Sequence, residues 1–447
     1  MRRWGSMAVG NEQTQRPING PGVGPVTAPQ PPRDPYRALR SRDFRFLLIG
    51  VFLSSFGQQM LAVALGWELY DRTGSALALG GIGLALIIPV IVLSLPAGHV
   101  ADTYSRKRVM IAAQGAIALG ALGLAIQTQR GGPLLPIYAC LTLIGSAQAF
   151  NNPASSALVA QVVPPDAFES AITWRSSVGQ VSAVLGPAAG GFLIGTFGGA
   201  AWVFALYAVA ASIFAILLVF LRVAAAPRRA TAARTLRSIA EGLRFLIRTP
   251  VLLAAITLDL FAVLLGGATT LLPIFARDIL HVGAFGLGWL QAAASLGSIG
   301  MAFTLAQRPP FRKAGRTLLL AVIGFGLATI VFGLSRSFIL SFGALLVLGA
   351  CDNISVIVRS TLLMVRTPDE LRGRVSAVNS LFIGTSNQLG GFESGVAAYL
   401  FGPVLAVVGG GLGTILIVLL IAWRWPEMRQ LRTLREPAPE PVLVPTA

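Results

Sequence analysis

Six ionisable side chains lie within or beside long apolar stretches of this chain. They are the acids Glu68, Asp259, Asp352 and Glu393 and the bases Arg175 and Arg359. A charged group is costly in an apolar environment, so the few that occur there usually have a function. A buried carboxylate can take up a proton or bind a cation. We therefore predict that these residues carry proton coupling or substrate binding. The alternative is a structural ion pair, for example between Arg359 and one of the two aspartates.

The spacing of these groups limits which of them can meet. Asp352 and Arg359 are seven residues apart, which is about 10.5 Å along one face of a helix. They therefore line one stripe but cannot touch without a bridging partner. Glu68 lies near the end of its apolar stretch, where an interfacial role is the alternative to coupling.

Three amide side chains, Gln148, Asn151 and Asn152, add polarity to another apolar stretch. Amides at membrane depth either line a cavity or hydrogen-bond neighbouring helices, and we predict cavity lining. Catalytic chemistry is not indicated, because the chain has no Walker A, G-x-S-x-G, H-E-x-x-H or paired-cysteine motif. We expect neither an enzyme nor a cofactor or metal site.

The elements that must position these residues are long apolar helices. Of the 447 residues, 54% are hydrophobic and 12% are charged, and the mean hydropathy is +0.73. About 20 apolar residues cross a bilayer, and twelve such runs occur, near 44–68, 76–98, 109–128, 133–158, 170–197, 201–221, 251–275, 283–306, 317–335, 338–362, 376–401 and 403–423. The runs are continuously apolar, which excludes the alternating strands of a β-barrel. We predict an all-α membrane protein with twelve transmembrane helices.

The two halves of the chain repeat each other. Leu185-Gly186 before one group of glycines is matched by Leu389-Gly390, and Arg106-Lys107 is matched by Arg312-Lys313 at nearly the same offset. This predicts two pseudo-symmetric six-helix bundles with a substrate site between them. The predicted regions are a disordered cytoplasmic tail (1–43), the first bundle (44–222), a basic amphipathic cytoplasmic loop (223–250), the second bundle (251–425) and a cytoplasmic tail (426–447).

The net charge of +17 comes from short basic clusters between apolar runs. No basic face is large enough for a duplex, so nucleic acid is not an expected partner. Almost all of the 35 Lys and Arg residues fall in alternate loops and the tails, and the opposite face has only Arg72, Arg130, Arg277 and Arg336. This bias predicts that both termini are cytoplasmic in a bacterial inner membrane. The central loop is expected to lie on anionic lipid, with a regulatory or partner site as the alternative.

The loop after the second run carries the first sharp motif. A glycine, an aspartate four residues later and a basic cluster follow one another, as Gly98, Asp102, Arg106, Lys107 and Arg108. The glycine allows close helix contact, the aspartate can accept backbone hydrogen bonds or pair with arginine, and the basic residues anchor the third helix. A plain positively charged turn is the alternative.

The fifth run carries the second motif, which combines small residues with a proline. Its members are Ser182, Gly186, Pro187, Gly190 and Gly191. Proline removes a backbone hydrogen bond and kinks the helix, and glycines permit tight helix packing. A packing kink without further meaning is the alternative interpretation.

Both motifs resemble those of the major facilitator superfamily, although Thr103 stands where the family has a basic residue and Ser182 where it has glycine. Phe44-Arg45-Phe46, Arg372 to Ala377 and Gly391 to Gly395 further resemble the branch of enterobactin-exporter-like and macrolide-efflux-like transporters. The resemblance implies that the loop acts in gating, that the fifth-helix motif is typical of antiporters, and that transport is proton-driven export.

We therefore expect a secondary active transporter that exports a small organic molecule by alternating access. Its expected partners are the substrate, protons and membrane lipid, and we expect a monomer. One alternative is a siderophore exporter with an anionic cargo, in which Arg359 and Arg175 would matter more than the acids. The alternative from another class is a non-transporting membrane sensor or scaffold.

Overall fold

The computed structural model describes residues 34–223, 236–308, 311 and 313–431. Within these ranges the chain is helical and forms no strand. The first six helices are α1 (Arg42–Thr73), α2 (Ala76–Thr103), α3 (Arg106–Arg130), α4 (Leu134–Val162), α5 (Phe168–Phe197) and α6 (Ala201–Phe220). Seven further helices of more than ten residues follow in the described ranges, and they are α7 (Leu236–Arg248), α8 (Pro250–Leu265), α9 (Gly283–Ala306), α10 (Ala314–Leu334), α11 (Phe338–Arg366), α12 (Asp369–Phe401) and α13 (Pro403–Arg424). A five-residue helix (Pro426–Gln430) follows α13.

Local sequence signals set the ends of these helices. Ser41 precedes α1, and its hydroxyl oxygen accepts a hydrogen bond from the backbone N–H of Phe44 at 3.3 Å, which satisfies one of the free donors of the first turn. Gly74 ends the same helix with φ of 59°, a conformation that favours glycine.

Eleven spans in the described ranges are long and apolar enough to cross a membrane, counting α8 with its continuation to Ile279 as one span. The remaining long helix is α12, which has 33 residues and begins with Asp369 and Glu370. The predicted all-α membrane fold is confirmed.

The seventh predicted run differs from expectation, because it is not one continuous helix. Helix α8 ends at Leu265, and after Gly266 and Gly267 the chain continues as a 3-10 turn (Ala268–Leu271), a short α-helical turn and a π-helical turn (Phe275–Ile279). A Cβ atom on Gly266 would lie 2.5 Å from the carbonyl oxygen of Ala262. Glycine therefore allows a break here that hydropathy alone does not reveal.

The long helices pack as two groups. In the first group α3 packs on α4 and α6, α2 packs on α4, and α1 packs on α5 and α6. In the second group α11 packs on α9 and α10, and α13 packs on α10, α8 and α12. The groups meet mainly where α5 crosses α9 and where α2 crosses α12.

At one end of the molecule these two crossings bring backbones into direct contact. A Cβ atom on Gly191 would lie 2.9 Å from the Cα of Gly288, and one on Gly395 would lie 2.8 Å from the Cα of Gly80. Small residues permit this approach in membrane helices. We call the end of the molecule where these four glycines meet the closed end.

Toward the other end, glycines of the same four helices make no such contact. One glycine on each of α2, α5, α9 and α12 has no described atom within 4 Å of an added Cβ, and these are Gly98, Gly179, Gly300 and Gly384. We call this the open end. The two helix groups therefore enclose a space that is shut at one end and accessible from the other.

Helix α7 supplies the predicted amphipathic helix of the central loop, and it is docked on the second group. Leu246 is buried against Val375 and Val378 of α12, and Glu241 forms an ion pair with Arg374. The side chains of Leu243 and Ile247 remain 37% and 55% exposed. One face of α7 thus packs on protein, and apolar side chains of another face remain exposed. The first part of the basic loop predicted over 223–250, which includes Arg228, Arg229 and Arg234, lies outside the described residues.

Candidate functional site

A buried ion pair links the two helices that carry the predicted charges of the second group. Asp259 on α8 and Arg359 on α11 are 8% and 4% exposed, and the guanidinium of Arg359 contacts the carboxylate of Asp259. Two charges removed from water are stable together only when their geometry compensates the lost hydration. Of the two partners considered for Arg359, the structure shows Asp259.

Asp352 lies on the same stripe of α11 as Arg359 and completes a cluster with this pair. Asp352 and Asp259 both line one narrow pocket, together with Cys351 and Ser355. Asp352 also lines a much larger cavity beside the pair. Asp352 therefore lines both the large cavity and the narrow pocket that Asp259 lines.

The larger cavity, which we call cavity A, has a volume of about 560 Å³ and lies between the two helix groups. Its polar lining comes from both groups and consists of Ser176, Gln180, Thr269, Thr270, Ser295, Ser298, Asp352, Asn353 and Asn387. Among the described residues of this lining, Asp352 is the only charged one. A cavity of this size accommodates a small organic molecule.

A second cavity, cavity B, has a volume of about 340 Å³ and adjoins the first, since Thr269, Thr270 and Asn387 line both. Its polar lining is dominated by carboxamides from α1, α4, α9 and α12, namely Gln58, Gln59, Gln148, Gln291, Asn387 and Gln388. Of these six residues, only Gln148 is predicted from the sequence, where amides were singled out in the fourth run alone. The glutamine pair in the first run and the Asn387-Gln388 pair in the eleventh were the available signals.

The three amides predicted to line a cavity have different surroundings. Gln148 lines cavity B. Asn151 instead accepts a hydrogen bond from Nε2 of the buried Gln114 at 3.2 Å, which is the helix-to-helix alternative. Asn152 is exposed and does not line either cavity.

The other predicted charges do not join the cluster. Glu68 forms an ion pair with Arg72 one turn later, and Arg72 also donates to the backbone oxygen of Thr128 at 2.6 Å. Arg175 donates to the backbone oxygen of Ser155 at 3.2 Å. Glu393 accepts a hydrogen bond from Ser394 at 3.4 Å. The structure therefore brings together Asp259, Asp352 and Arg359 and leaves these three residues elsewhere.

The small-residue motif of α5 faces two helices at once. A Cβ on Gly186 would lie 2.6 Å from the Cβ of Gln59, and one on Gly190 would lie 3.2 Å from the Cα of Met60, both on α1. Gly191 faces α9 of the other group, and Ser182 and Pro187 are also buried. The motif thus packs α5 inside its own group and across the boundary between the groups.

The loop motif between α2 and α3 lies at the open end. Lys107 donates to the backbone oxygens of Val219 and Leu221 at 2.8 and 2.9 Å, so it caps the end of α6, and Arg106 donates to the backbone of α4. Arg108 is exposed. No described residue makes the close contact expected at Gly98. The side chain of Asp102 lies outside the described part of the chain.

A polar latch joins the two groups at the closed end, and sequence reasoning missed it. The hydroxyl of Tyr70 donates to Asp278, and Arg277 pairs with Asp71 at 3.1 Å and donates to the backbone oxygen of Tyr70 at 3.3 Å. The π-helical turn after α8 carries Arg277 and Asp278. The sequence placed Arg277 on this face of the membrane but gave no signal for its partners on α1.

Replacing Arg277 by glutamine is expected to loosen the closed end. An ion pair between partly exposed groups contributes about 1 kcal/mol, which corresponds to roughly a fivefold change in the population of the closed state. A reporter cysteine at Leu79, which lines cavity B near this end, should then react about fivefold faster with an impermeant maleimide added on that face. Both native cysteines are first replaced by serine.

The matched control for the latch is Arg336→Gln. Arg336 also lies on this face, but among the described residues it donates only to the backbone of the adjacent Ser335. Its replacement should leave the labelling rate unchanged. An unchanged rate in the Arg277 variant would show that the latch does not hold the end shut.

Two helix groups around a cavity that opens at one end define a multi-pass membrane transporter. Residues 47–391 match the Major Facilitator Superfamily. The enterobactin exporter EntS of Citrobacter koseri is 28% identical over 401 residues, which cover 89% of this chain and 94% of that protein. EntS of Shigella boydii serotype 18 is 27% identical over 87% of this chain and 93% of its own length.

Solved structures show the same fold. The nucleoside transporter NupG superposes with a TM-score of 0.67 at 14% identity, covering 87% of this chain and all of that one. The inward-facing, occupied bacterial homolog of the human lysosomal transporter Spinster gives a TM-score of 0.68 at 14% identity, covering 89% and 99%. The chain belongs to the Major Facilitator Superfamily, a family of transporters rather than enzymes.

Proposed function

We propose that this protein exports a small organic molecule by alternating access and that protons moving inward drive the export. The observation that carries the proposal is the position of Asp352 between cavity A and the buried Asp259–Arg359 pair. A cavity with one acid next to an ion pair provides both a place for cargo and a group that can change charge. A non-transporting sensor has no need for such a cavity.

The open end is proposed to face the cytoplasm. The basic clusters of the loop after α2 and of the segment after α9 lie near this end, and basic residues favour the cytoplasmic side of a membrane. Both described ends of the chain, before α1 and after α13, fall on the same side in this arrangement. Cargo would thus enter the cavities from the cytoplasm.

The proposed coupling step uses the ion pair as the element that changes. A proton that reaches Asp352 can be passed across the narrow pocket to Asp259. Neutral Asp259 no longer holds Arg359, so the contact between α8 and α11 is weakened and the second helix group can rearrange. Release of the proton to the cytoplasm restores the pair. Protons and cargo would then move in opposite directions, as in an antiporter.

Export and the nature of the cargo rest on the relatives. The similar proteins named enterobactin exporters match this chain over almost its whole length, which supports export and makes a siderophore the leading candidate cargo. The anionic form of such a cargo is less well supported. Arg359 and Arg175 were expected to bind it, yet both are occupied by protein groups and neither lines a cavity.

Asp352→Asn tests the coupling. In inverted vesicles with an imposed pH gradient, we expect gradient-driven accumulation of enterobactin to fall at least about tenfold, because asparagine cannot carry the proton. Movement of enterobactin down its own concentration gradient should continue. The control is Asp369→Asn, which removes an exposed carboxylate whose described partner is the nearby Arg372 and which should behave as wild type.

Proton coupling is expected to depend on at least one of three acids, Asp259, Asp352 and Glu393. Asp259→Asn and Glu393→Gln are measured in the same vesicles as Asp352→Asn. If all three variants accumulate enterobactin like the wild-type protein, proton coupling does not depend on these carboxylates and the proposal is wrong.

A further inference from the structure

The two helix groups together place a ring of carboxamides around cavity B. Three members come from α1 and α4, and three come from α9 and α12. We call them the carboxamide ring, and they are Gln58, Gln59, Gln148, Gln291, Asn387 and Gln388. A ring shared by both groups can hold a cargo while the groups move around it.

The side chains of this ring are uncharged, and each can both donate and accept hydrogen bonds. Each carboxamide offers donors on its nitrogen and acceptors on its oxygen. Among the described residues that line cavities A and B, the one ionisable side chain is Asp352, and it is acidic. A negatively charged cargo would lose its hydration here without meeting a cation, which is costly. The lining therefore selects against anions.

Two acceptors of the lining lack a partner within the described protein. The oxygens Oε1 of Gln291, in cavity B, and Oδ1 of Asn353, in cavity A, are buried and accept no hydrogen bond from described groups. Buried polar atoms are normally hydrogen-bonded. Both residues line a cavity, so rotation of either amide toward its cavity would present this oxygen to an N–H or O–H donor of the cargo.

The shape of the space agrees with one cargo that reaches into both cavities. Thr269, Thr270 and Asn387 belong to both linings, and the break after Gly267 puts both threonines in the 3-10 turn (Ala268–Leu271) of the seventh span. Their hydroxyls and the Asn387 amide add donors and acceptors where the cavities join. Volumes of about 560 and 340 Å³ fit organic molecules of drug size.

We propose that the carboxamide ring recognises the cargo in an uncharged form that presents hydroxyl or amide groups, and that Asp352 does not bind the cargo but is reserved for the proton. This inference rests on the proposed transport function. It assigns recognition and coupling to different residues, so the two can be separated by experiment.

Binding to the purified full chain in detergent tests the proposal, with three probes that share one ring system. Chloramphenicol is uncharged and carries hydroxyl and amide groups. Its succinate ester is an anion, and its amine base is a cation. Isothermal titration calorimetry is expected to show saturable binding of chloramphenicol and at least tenfold weaker binding of the succinate ester.

The variants Gln291→Leu and Gln388→Leu remove the amides at nearly constant volume, and each should weaken chloramphenicol binding about tenfold. The matched control is Gln161→Leu on α4, which lines neither cavity and should bind as wild type. Asp352→Asn should bind chloramphenicol within twofold of wild type. The thermal unfolding midpoint of each variant identifies any variant that does not fold. Gln59→Leu then replaces the ring variant that fails.

Three results would overturn the proposal. They are binding of the succinate ester as tight as that of chloramphenicol, unchanged binding in the ring variants, and absence of saturable binding by all three probes. Tighter binding of the amine base that is lost in Asp352→Asn would instead assign recognition to the carboxylate. If binding depends on the ring but a pH gradient drives no transport, the proposed coupling fails while the assignment of the ring stands.

Discussion

Arg359→Gln is expected to abolish transport and to lower the free energy of unfolding by about 3–5 kcal/mol. The substitution leaves Asp259 buried without its cation, since both side chains of the pair are almost completely enclosed. An unpaired buried charge is much more costly than the pair itself is favourable. Asp259→Asn should have a similar effect, because it leaves the guanidinium of Arg359 without a counter-charge.

The double variant Asp259→Asn/Arg359→Gln separates stability from function. Two neutral amides of similar shape can hydrogen-bond each other, so the unfolding free energy should recover to within about 1 kcal/mol of wild type. Proton-driven transport should remain absent because no group is left to change charge. The free energy of unfolding is measured by titrating the purified protein with a denaturing detergent. Transport is measured as uptake into inverted vesicles.

The control for the Asp259 and Arg359 variants is an exposed ion pair on another part of the second helix group. Arg372→Gln removes an exposed ion pair with Asp369 and should change the unfolding free energy by less than about 0.5 kcal/mol. If the double variant transports as well as the wild-type protein, the pair is only a structural element. The charge change that drives transport would then have to occur elsewhere.

The sequence was sufficient for the fold because each span carries its own signal. Continuous apolar runs identified the membrane helices, and the positions of their few charges pointed to the second helix group. The cost of burying a charge is a local property that hydropathy reveals. Asp259, Asp352 and Arg359 could be named on this basis before any geometry was known.

The partners of these residues depend on geometry that no single run encodes. Spacing along α11 excluded direct contact between Asp352 and Arg359, but only the crossing of α8 and α11 shows that Asp259 is the partner. Glu68, Arg175 and Glu393 had equally strong sequence signals, yet each is occupied locally. The latch at Arg277 and the carboxamide ring arise between distant segments, and of their residues the sequence predicted only Gln148 as cavity lining and Arg277 on its face of the membrane.

Gly191, which belongs to the small-residue motif of α5, is also part of a symmetric pair of contacts between the two helix groups. Gly191 on α5 meets Gly288 on α9, and Gly80 on α2 meets Gly395 on α12. Each contact crosses between the helix groups at the closed end. Because backbone atoms touch, the closed end cannot form if either crossing is widened, and a cycle that alternates between two ends must pass through this state.

Gly191→Val is therefore expected to reduce transport by about 100-fold while the protein still folds. The new Cβ would lie 2.5 Å from the backbone oxygen of Ala284 and 2.9 Å from Gly288, and backbone atoms cannot move aside as a flexible side chain would. Overpacking of this kind costs about 1–3 kcal/mol, and here the cost falls on the closed state alone. The packing within each helix group is unaffected, so the protein should accumulate in a state with this end apart.

The labelling assay with the Leu79 cysteine distinguishes this explanation from simple damage. Gly191→Val should raise the labelling rate from the Arg277 face, and Gly288→Val, which alters the same crossing from α9, should do the same. The control is Gly409→Val on α13, where an added Cβ meets no described atom within 4 Å and transport should be unchanged. Wild-type transport in Gly191→Val would mean that the crossing of α5 and α9 need not close to backbone contact during the cycle.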